Sequence, residues 1–140
     1  MRIFKAGHYH FQLISDDGSK LEIDGSAVVD NDGGHSLRTK EGGVRLSIFS
    51  HTIRIVYFER GGLAGIIFKY KGPDSGNVLI SVPEKVLSPK MIAGGAAKMS
   101  KSGLKEEIFY FNQGTKMPEL KARRPSTVRT VKTVNYAATK

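Results

Sequence analysis

Residues 7–25, GHYHFQLISDDGSKLEIDG, consist of two alternating apolar runs separated by an acidic turn. Residues 15–19 form this turn, where Asp and Gly are favoured because they accept tight backbone conformations. A period of two is typical of β-strands that bury one face. The stretch therefore predicts two strands joined as a β-hairpin. The apolar side chains at every second position are Tyr9, Phe11 and Leu13 before the turn, and Leu21 and Ile23 after it.

Similar alternating segments follow, separated by turns rich in Gly and Asp. Residues 41–43 (EGG) are expected to turn the chain, and residues 51–60 to form a central strand of a sandwich, with one buried face and one partly covered face. The pattern predicts an all-β fold with antiparallel strands. The first strand is expected at residues 2–15, and the later ones at residues 27–30, 37–40, 44–49, 51–60, 64–71 and 78–82.

Length and composition limit the classes of protein that the chain can belong to. The 140 residues suit one domain with its own apolar core. Because the sequence contains no cysteine, disulfides, thiol catalysis and thiolate metal sites are excluded. No apolar run reaches about 18 residues, so we predict no membrane span. The first residues, MRIFKAGHYHF, lack the apolar core of a secretory signal, and we expect none in this sequence.

The formal net charge of +9 is concentrated near the carboxyl end. Residues 1–90 carry 12 Lys and Arg against 10 Asp and Glu, whereas residues 91–140 carry 10 against 3. Such a basic tail attracts nucleic acid, an acidic polymer or an acidic protein surface. Only one aromatic residue lies near the basic stretch and no stacking pattern is present, so we expect a solvated face and no nucleic-acid binding. The stretch contains Lys121, Arg123, Arg124, Arg129 and Lys132.

Several motifs occur in a fixed order: SDDGSKLEIDG at residues 15–25, VVDNDG at 28–33, GGVRLS at 42–47 and IRIVYFERGGLAGIIFKYKGP at 53–73. Over residues 3–88 the chain resembles the protective-antigen-fourteen (PA14) domain, a β-sandwich of toxins, glycosidases, adhesins and flocculins. The resemblance implies an antiparallel, jelly-roll-like β-sandwich. The resemblance implies a non-catalytic binding or assembly module, often for carbohydrate. It also favours an extracellular or cell-surface location.

The resemblance further implies a candidate calcium site. In lectin-like members of the family, two consecutive Asp residues joined by a cis peptide hold calcium, which in turn holds sugar hydroxyls. Asp16 and Asp17 match this pair. Calcium takes six to eight oxygen ligands, so two carboxylates only begin a site. Asp32 and His35, in the loop at residues 31–36, are candidates to contact the ligand. The alternative is that the pair and the loop are ordinary structural turns.

The carboxyl-terminal part resembles the opening strands of a PA14 domain. It begins with Gly103-Leu104 and the run EEIFYFNQG at residues 106–114. We therefore divide the chain into a domain body at 1–88, a linker at 89–102 and an opening segment at 103–140. This segment either completes its own sandwich, completes that of a neighbouring copy, or starts the next repeat of an array. The predicted assembly strand contains Ile108, Phe109, Tyr110 and Phe111.

Three functions follow from these observations, and none is enzymatic. The sequence contains no phosphate-binding glycine loop, no Gly-x-Ser-x-Gly and no HExxH. The first hypothesis is a structural or adhesive module that assembles with copies of itself or with neighbouring repeats through its terminal strand. The second is a calcium-dependent carbohydrate-binding module. The third is an intracellular scaffold that binds an acidic surface through its basic tail.

Overall fold

The computed structural model describes residues 1–89 and 102–139, and these residues form an all-β fold, which confirms the predicted fold class. The predicted linker at 89–102 lies almost entirely outside the described residues. Short 3-10 helices occupy Pro73–Ser75 and Glu84–Val86. The strands are β1 (Arg2–Ile3), β2 (Gly7–Asp16), β3 (Ser19–Ile23), β4 (Ser26–Asn31), β5 (Arg38–Leu46), β6 (Phe49–Ser50), β7 (Ile53–Tyr57), β8 (Ala64–Lys71), β9 (Ile80–Ser81), β10 (Leu104–Ile108), β11 (Thr127–Val131) and β12 (Asn135–Thr139).

Within the described part of the chain, no helix is long and apolar enough to cross a membrane.

Two antiparallel sheets form the sandwich. The larger sheet has the strand order β12-β8-β2-β5, with β9 also paired to β8, and the smaller sheet has the order β4-β3-β7. Two further pairs, β1 with β6 and β10 with β11, each form a two-stranded sheet. Strand β2 is the centre of the larger sheet, since it pairs with β5 along one side and with β8 along the other.

The predicted hairpin at residues 7–25 is wrong, because its two strands lie in different sheets. Ser15 pairs with Arg38 and Ile66 in the larger sheet, whereas Ser19 pairs with Asn31 and Tyr57 in the smaller one. Both arrangements direct the alternating apolar residues into the core, so alternation alone does not distinguish them. The acidic turn therefore carries the chain from one sheet to the other.

The core between the sheets is built on aromatic side chains of β2 and β8. Tyr9, Phe11, Phe68 and Tyr70 are at most 1% exposed. The rings of Phe11 and Phe68 stack with centroids 5.9 Å apart, and those of Tyr9 and Tyr70 lie at the same separation. Aromatic pairs of this kind add about 0.5–1.5 kcal/mol beyond the burial of their area. The core thus fixes β2 against β8 and anchors the end of β2 that leads into the acidic turn.

Residues 41–43 do not turn the chain as predicted, because β5 runs through them without interruption. The glycine at position 42 meets a different requirement. A Cβ atom there would lie 1.8 Å from the carbonyl oxygen of Val28 on β4, which is far inside contact distance. Glycine is needed where two backbones approach this closely. Sequence composition does not separate this use of glycine from its use in turns.

Strand β7 also differs from its prediction as a central strand, since it lies at the edge of the smaller sheet beside β3. Its inward residues Ile53, Ile55 and Tyr57 pack against the core, which accounts for the strong alternation. The following residue, Phe58, is 4% exposed and is buried against Gly18 of the acidic turn. The apolar content of this segment therefore comes from packing against the core and the acidic turn, and it does not indicate that β7 has a neighbouring strand on both sides.

The carboxyl-terminal segment folds against the described body of the sandwich. Strand β12 pairs with β8, and the amide of Phe68 donates to the carbonyl of Val134 at 2.9 Å. Strand β10 ends at Ile108, so Phe109, Tyr110 and Phe111 lie beyond it. Tyr110 is 76% exposed, whereas Ile108 and the two Phe side chains are half-buried.

We expect Gly42→Ala to destabilise the fold by about 3 kcal/mol or more, because its methyl group collides with a backbone carbonyl that cannot rotate away. Urea unfolding measures this loss. Gly114→Ala is the matched control, since no atom lies within 4 Å of its added Cβ, and its effect should stay within about 0.5 kcal/mol. Equal stability of the two variants would contradict the close approach of β4 and β5.

Candidate functional site

The acidic turn, residues 15–19, includes the end of β2 and the start of β3. The peptide bond between Asp16 and Asp17 is cis. A Cβ at Gly18 would lie 2.4 Å from the Phe58 ring and 2.8 Å from the amide nitrogen of Gly33. Only glycine leaves room for these contacts. The turn is therefore pressed against both the segment after β7 and the loop at residues 31–36.

The carboxylate of Asp17 connects these two neighbouring segments. Its Oδ1 accepts a hydrogen bond of 2.9 Å from the amide of His35, and its Oδ2 accepts one of 2.9 Å from the amide of Arg60. Asp17 is only 7% exposed. Hydrogen bonds from amides to a carboxylate are stronger than those between neutral groups. They hold this side chain in one orientation.

A third carboxylate, Glu59, joins the aspartate pair. Carboxylate oxygens of Asp16, Asp17 and Glu59 all lie within 4.8 Å of one another. Sequence reasoning missed Glu59, although the register contains the signal. Strands β3 and β7 are antiparallel, with Ser19 opposite Tyr57, and continuing this register by two residues places Asp17 opposite Glu59. Knowledge of this strand pair would have been enough to find it.

The surroundings of Glu59 disfavour its ionised form. Burial raises the pKa of its carboxyl group, and the negative charges of Asp17 and Asp16 raise it further. A hydrogen bond from the Gly61 amide, 2.6 Å from Oε1, opposes this effect. Three carboxylates at one place thus repel each other unless a cation or a proton offsets their charge.

Asp16 completes the group from the end of β2. It is 8% exposed, and its side chain takes part in no hydrogen bond or ion pair within residues 1–89 and 102–139. Its backbone carbonyl accepts a hydrogen bond of 2.7 Å from the Tyr57 hydroxyl. Burial raises the pKa of that Tyr57 hydroxyl, so it remains a donor at physiological pH. Among the described residues no fully buried side-chain oxygen lacks a hydrogen-bond partner, so the carboxylate oxygens of Asp16 reach solvent and are open to a cation.

A cleft of about 380 Å3 opens next to Asp17. Gly34, Arg60 and Gly61 line it, together with Thr115 from the carboxyl-terminal segment. A Cβ at Gly34 would lie 3.4 Å from the methyl group of Thr115, so this wall is closely packed. The cleft combines a carboxylate, a guanidinium and a hydroxyl, which suits a polar ligand that both donates and accepts hydrogen bonds.

Asp32 and His35 lie in the neighbouring loop, and their side chains bind protein atoms. Oδ1 of Asp32 accepts hydrogen bonds from the amides of Gly33 and Met117, at 2.7 and 2.8 Å. The His35 ring nitrogens lie 2.8 Å from the Ser36 carbonyl and 2.9 Å from that of Asn31. Their side chains therefore shape the loop, while the three-carboxylate group consists of Asp16, Asp17 and Glu59.

The donor set fits calcium. This ion prefers oxygen ligands and often binds carboxylates through one or both oxygens. Three carboxylates offer up to six oxygens, and the amide hydrogen bonds to Asp17 and Glu59 leave lone pairs free on each acceptor. Asp16, Asp17 and Glu59 are the residues that would hold the ion.

We expect Asp17→Asn to lower the pKa of Glu59 in calcium-free buffer, because it removes a neighbouring negative charge. Carboxyl-carbon NMR during a pH titration measures the change. Since the folded pKa of Glu59 is raised, the contribution of Glu59 to wild-type stability should fall as pH rises from about 4.3 towards the raised value, and less so in the variant. Glu41→Gln, on β5, is the control. An unchanged Glu59 pKa in Asp17→Asn would show that the charge of Asp17 does not raise it.

The comparison with protein families agrees with this architecture. The model of the PA14 domain matches residues 2–82. PA14 domains are β-sandwich modules that often occur in adhesive or carbohydrate-binding proteins, and they are found in both enzymes and non-enzymes. Neither the curated proteins nor the solved structures gave a match. The family match spans more than half of the 140 residues and covers β1 to β9, so the chain belongs to the PA14 domain family.

Proposed function

We propose that this chain is a non-catalytic module that binds carbohydrate through calcium held at the acidic turn. The observation that carries the proposal is the convergence of Asp16, Asp17 and Glu59, whose carboxylate oxygens lie within 4.8 Å of one another. Asp17 also lines the cleft of about 380 Å3, so the ion and a ligand would meet at the same side chain.

The surrounding residues position the carboxylates in advance. The amides of His35 and Arg60 fix Asp17, and the amide of Gly61 fixes Glu59. Little conformational entropy is then lost when a ligand binds. Bound calcium would offer coordination positions to vicinal sugar hydroxyls. The Arg60 guanidinium and the Thr115 hydroxyl supply donors along the cleft wall.

Binding is favoured over catalysis by the placement of the acids. Glycosidases place two carboxyl groups on opposite sides of the scissile bond. Here Asp16 and Asp17 are consecutive on one turn, and Glu59 is beside them. The arrangement suits shared coordination of one cation.

We expect calcium to bind with measurable heat in isothermal titration calorimetry. Asp17→Asn and Glu59→Gln should each weaken binding by about tenfold or more, because each removes a charged ligand. Glu41→Gln, which removes an exposed carboxylate of β5, should leave the affinity unchanged. A glycan array probed with calcium and with a chelator then tests the sugar. Absence of calcium binding overturns the proposal. Calcium binding without any glycan signal would retain the calcium site and reject carbohydrate as the ligand.

Assembly by strand exchange is a second candidate, and the position of β12 supports it. Tyr136 pairs with Ile66 and Asn135 with Ile67, so β8 is paired with a strand that is about 70 residues away in the sequence. The same pairs can form between copies if the carboxyl-terminal segment is exchanged. Because such an exchange is heterologous, it need not close, and the product would be a head-to-tail chain of subunits.

Light scattering coupled to size-exclusion chromatography tests this exchange. We expect particles larger than one chain, and we expect Tyr136→Pro to reduce their size because proline removes a strand hydrogen bond. Val128→Pro, in β11 of the separate two-stranded sheet, is the control. A wild-type protein that remains a monomer at all concentrations would exclude the exchange and leave the carbohydrate proposal untouched.

A further inference from the structure

A second cleft, remote from the acidic turn, lies between β7 and the carboxyl-terminal segment. Its volume is about 300 Å3. Arg54 of β7 and Glu107 of β10 line it, together with Lys121 and Arg123 from the segment between β10 and β11. Residues far apart in the sequence thus place three cationic side chains around one space.

The charge of this cleft is positive, because the one acid among its described lining residues is already paired. The Glu107 carboxylate forms an ion pair with Lys105 on the same strand. Arg54 lies 3.6 Å from Glu22, but both side chains are exposed, so this pair is screened and weak. Lys121 forms no ion pair within the described residues. The cationic groups are therefore available to a ligand.

Arg123 is held ready for an anion. Its guanidinium carbon lies 3.7 Å from the centroid of the Phe111 ring, in a cation–π contact. Stacking of the guanidinium on the ring leaves its N–H edges directed sideways, where they are able to donate two parallel hydrogen bonds to an oxyanion. Arg129, also in the basic tail, differs in that Glu106 already binds it. The structure thereby separates one basic residue suited to a ligand from another that is used internally.

The remaining wall of the cleft is apolar and contains Phe109, Leu120 and Pro125. This surface fits the C–H face of a sugar ring next to a charged substituent. Nucleic acid requires a row of phosphate contacts with aromatic faces for stacking. Here the cations surround one small space, and the Phe111 face is covered by Arg123. The combination favours a saccharide over an oligonucleotide.

We propose that this cleft binds a sulfate ester group of an acidic polysaccharide, with Arg123 as the bidentate donor and with Lys121 and Arg54 as further cations. The net charge of +9 brings such a polyanion to the protein. The cleft shares no residue with the acidic turn, so this binding is independent of calcium.

The test is calorimetric titration of the full chain with a heparin-derived octasaccharide, in a chelator, at about 0.05 M and about 0.3 M NaCl. Arg123→Gln should weaken binding by about tenfold or more, since it removes a charge-assisted contact. Arg124→Gln is the matched control, because it removes the same charge from a neighbouring exposed residue that does not line the cleft; its effect should stay below about threefold. Arg123→Lys keeps the charge but loses the planar guanidinium that donates two parallel hydrogen bonds, so its affinity should be intermediate.

Two further probes determine the source of the anionic group. The desulfated octasaccharide, which retains its carboxylates, should bind much more weakly than the sulfated one. A single-stranded DNA octamer should bind with no difference between Arg123→Gln and Arg124→Gln. Circular dichroism and thermal melting show that each variant is folded. The proposal is overturned if the two Arg→Gln variants lose equal affinity for the sulfated sugar, if DNA shows the Arg123 dependence, or if no binding occurs at the lower salt.

Discussion

A buried hydrogen-bond network around Asn31 joins the two sheets where the chain crosses between them. Asn31, Ser15 and Ser19 are all 0% exposed. The Asn31 amide group donates to Ser15 Oγ at 3.1 Å and to the Arg38 carbonyl at 2.9 Å, and the Ser15 and Ser19 hydroxyls are 2.6 Å apart. Leaving any of these groups without a partner would cost about 1–3 kcal/mol. The network thus connects β2, β3, β4 and β5 at one place.

The candidate calcium site is a consequence of this crossing. Because Ser15 and Ser19 are fixed in different sheets, the residues between them must lie at the end of the sandwich. The register of β3 with β7 then brings Glu59 to Asp17, and the connection from β4 to β5 brings the amide of His35 to the same carboxylate. No one segment contains the site. It forms only when both sheets are in place.

The sequence predicted which residues are buried better than it predicted which strands are neighbours. Alternation correctly placed Tyr9, Phe11 and Leu13 in the core, since it depends only on the direction of side chains. The partner of a strand depends on contacts between distant residues, and alternation does not encode them. For that reason the hairpin was wrong and Glu59 was missed. Gly42 was wrongly assigned to a turn, because a close approach of two backbones and a tight turn both require glycine.

The carboxyl-terminal segment shows why the folded unit extends beyond the family match, which ends at residue 82. Strand β2 occupies one side of β8, and β9 covers the other side only at Lys69 and Tyr70. The rest of that side meets β12, as in the pair of Tyr136 with Ile66. Without a strand there, backbone donors and acceptors of a central element would lack partners, and an open edge of this kind recruits another chain. The need for a strand beside β8 therefore comes from backbone hydrogen bonding, and it is the same whether the strand belongs to this copy or to its neighbour.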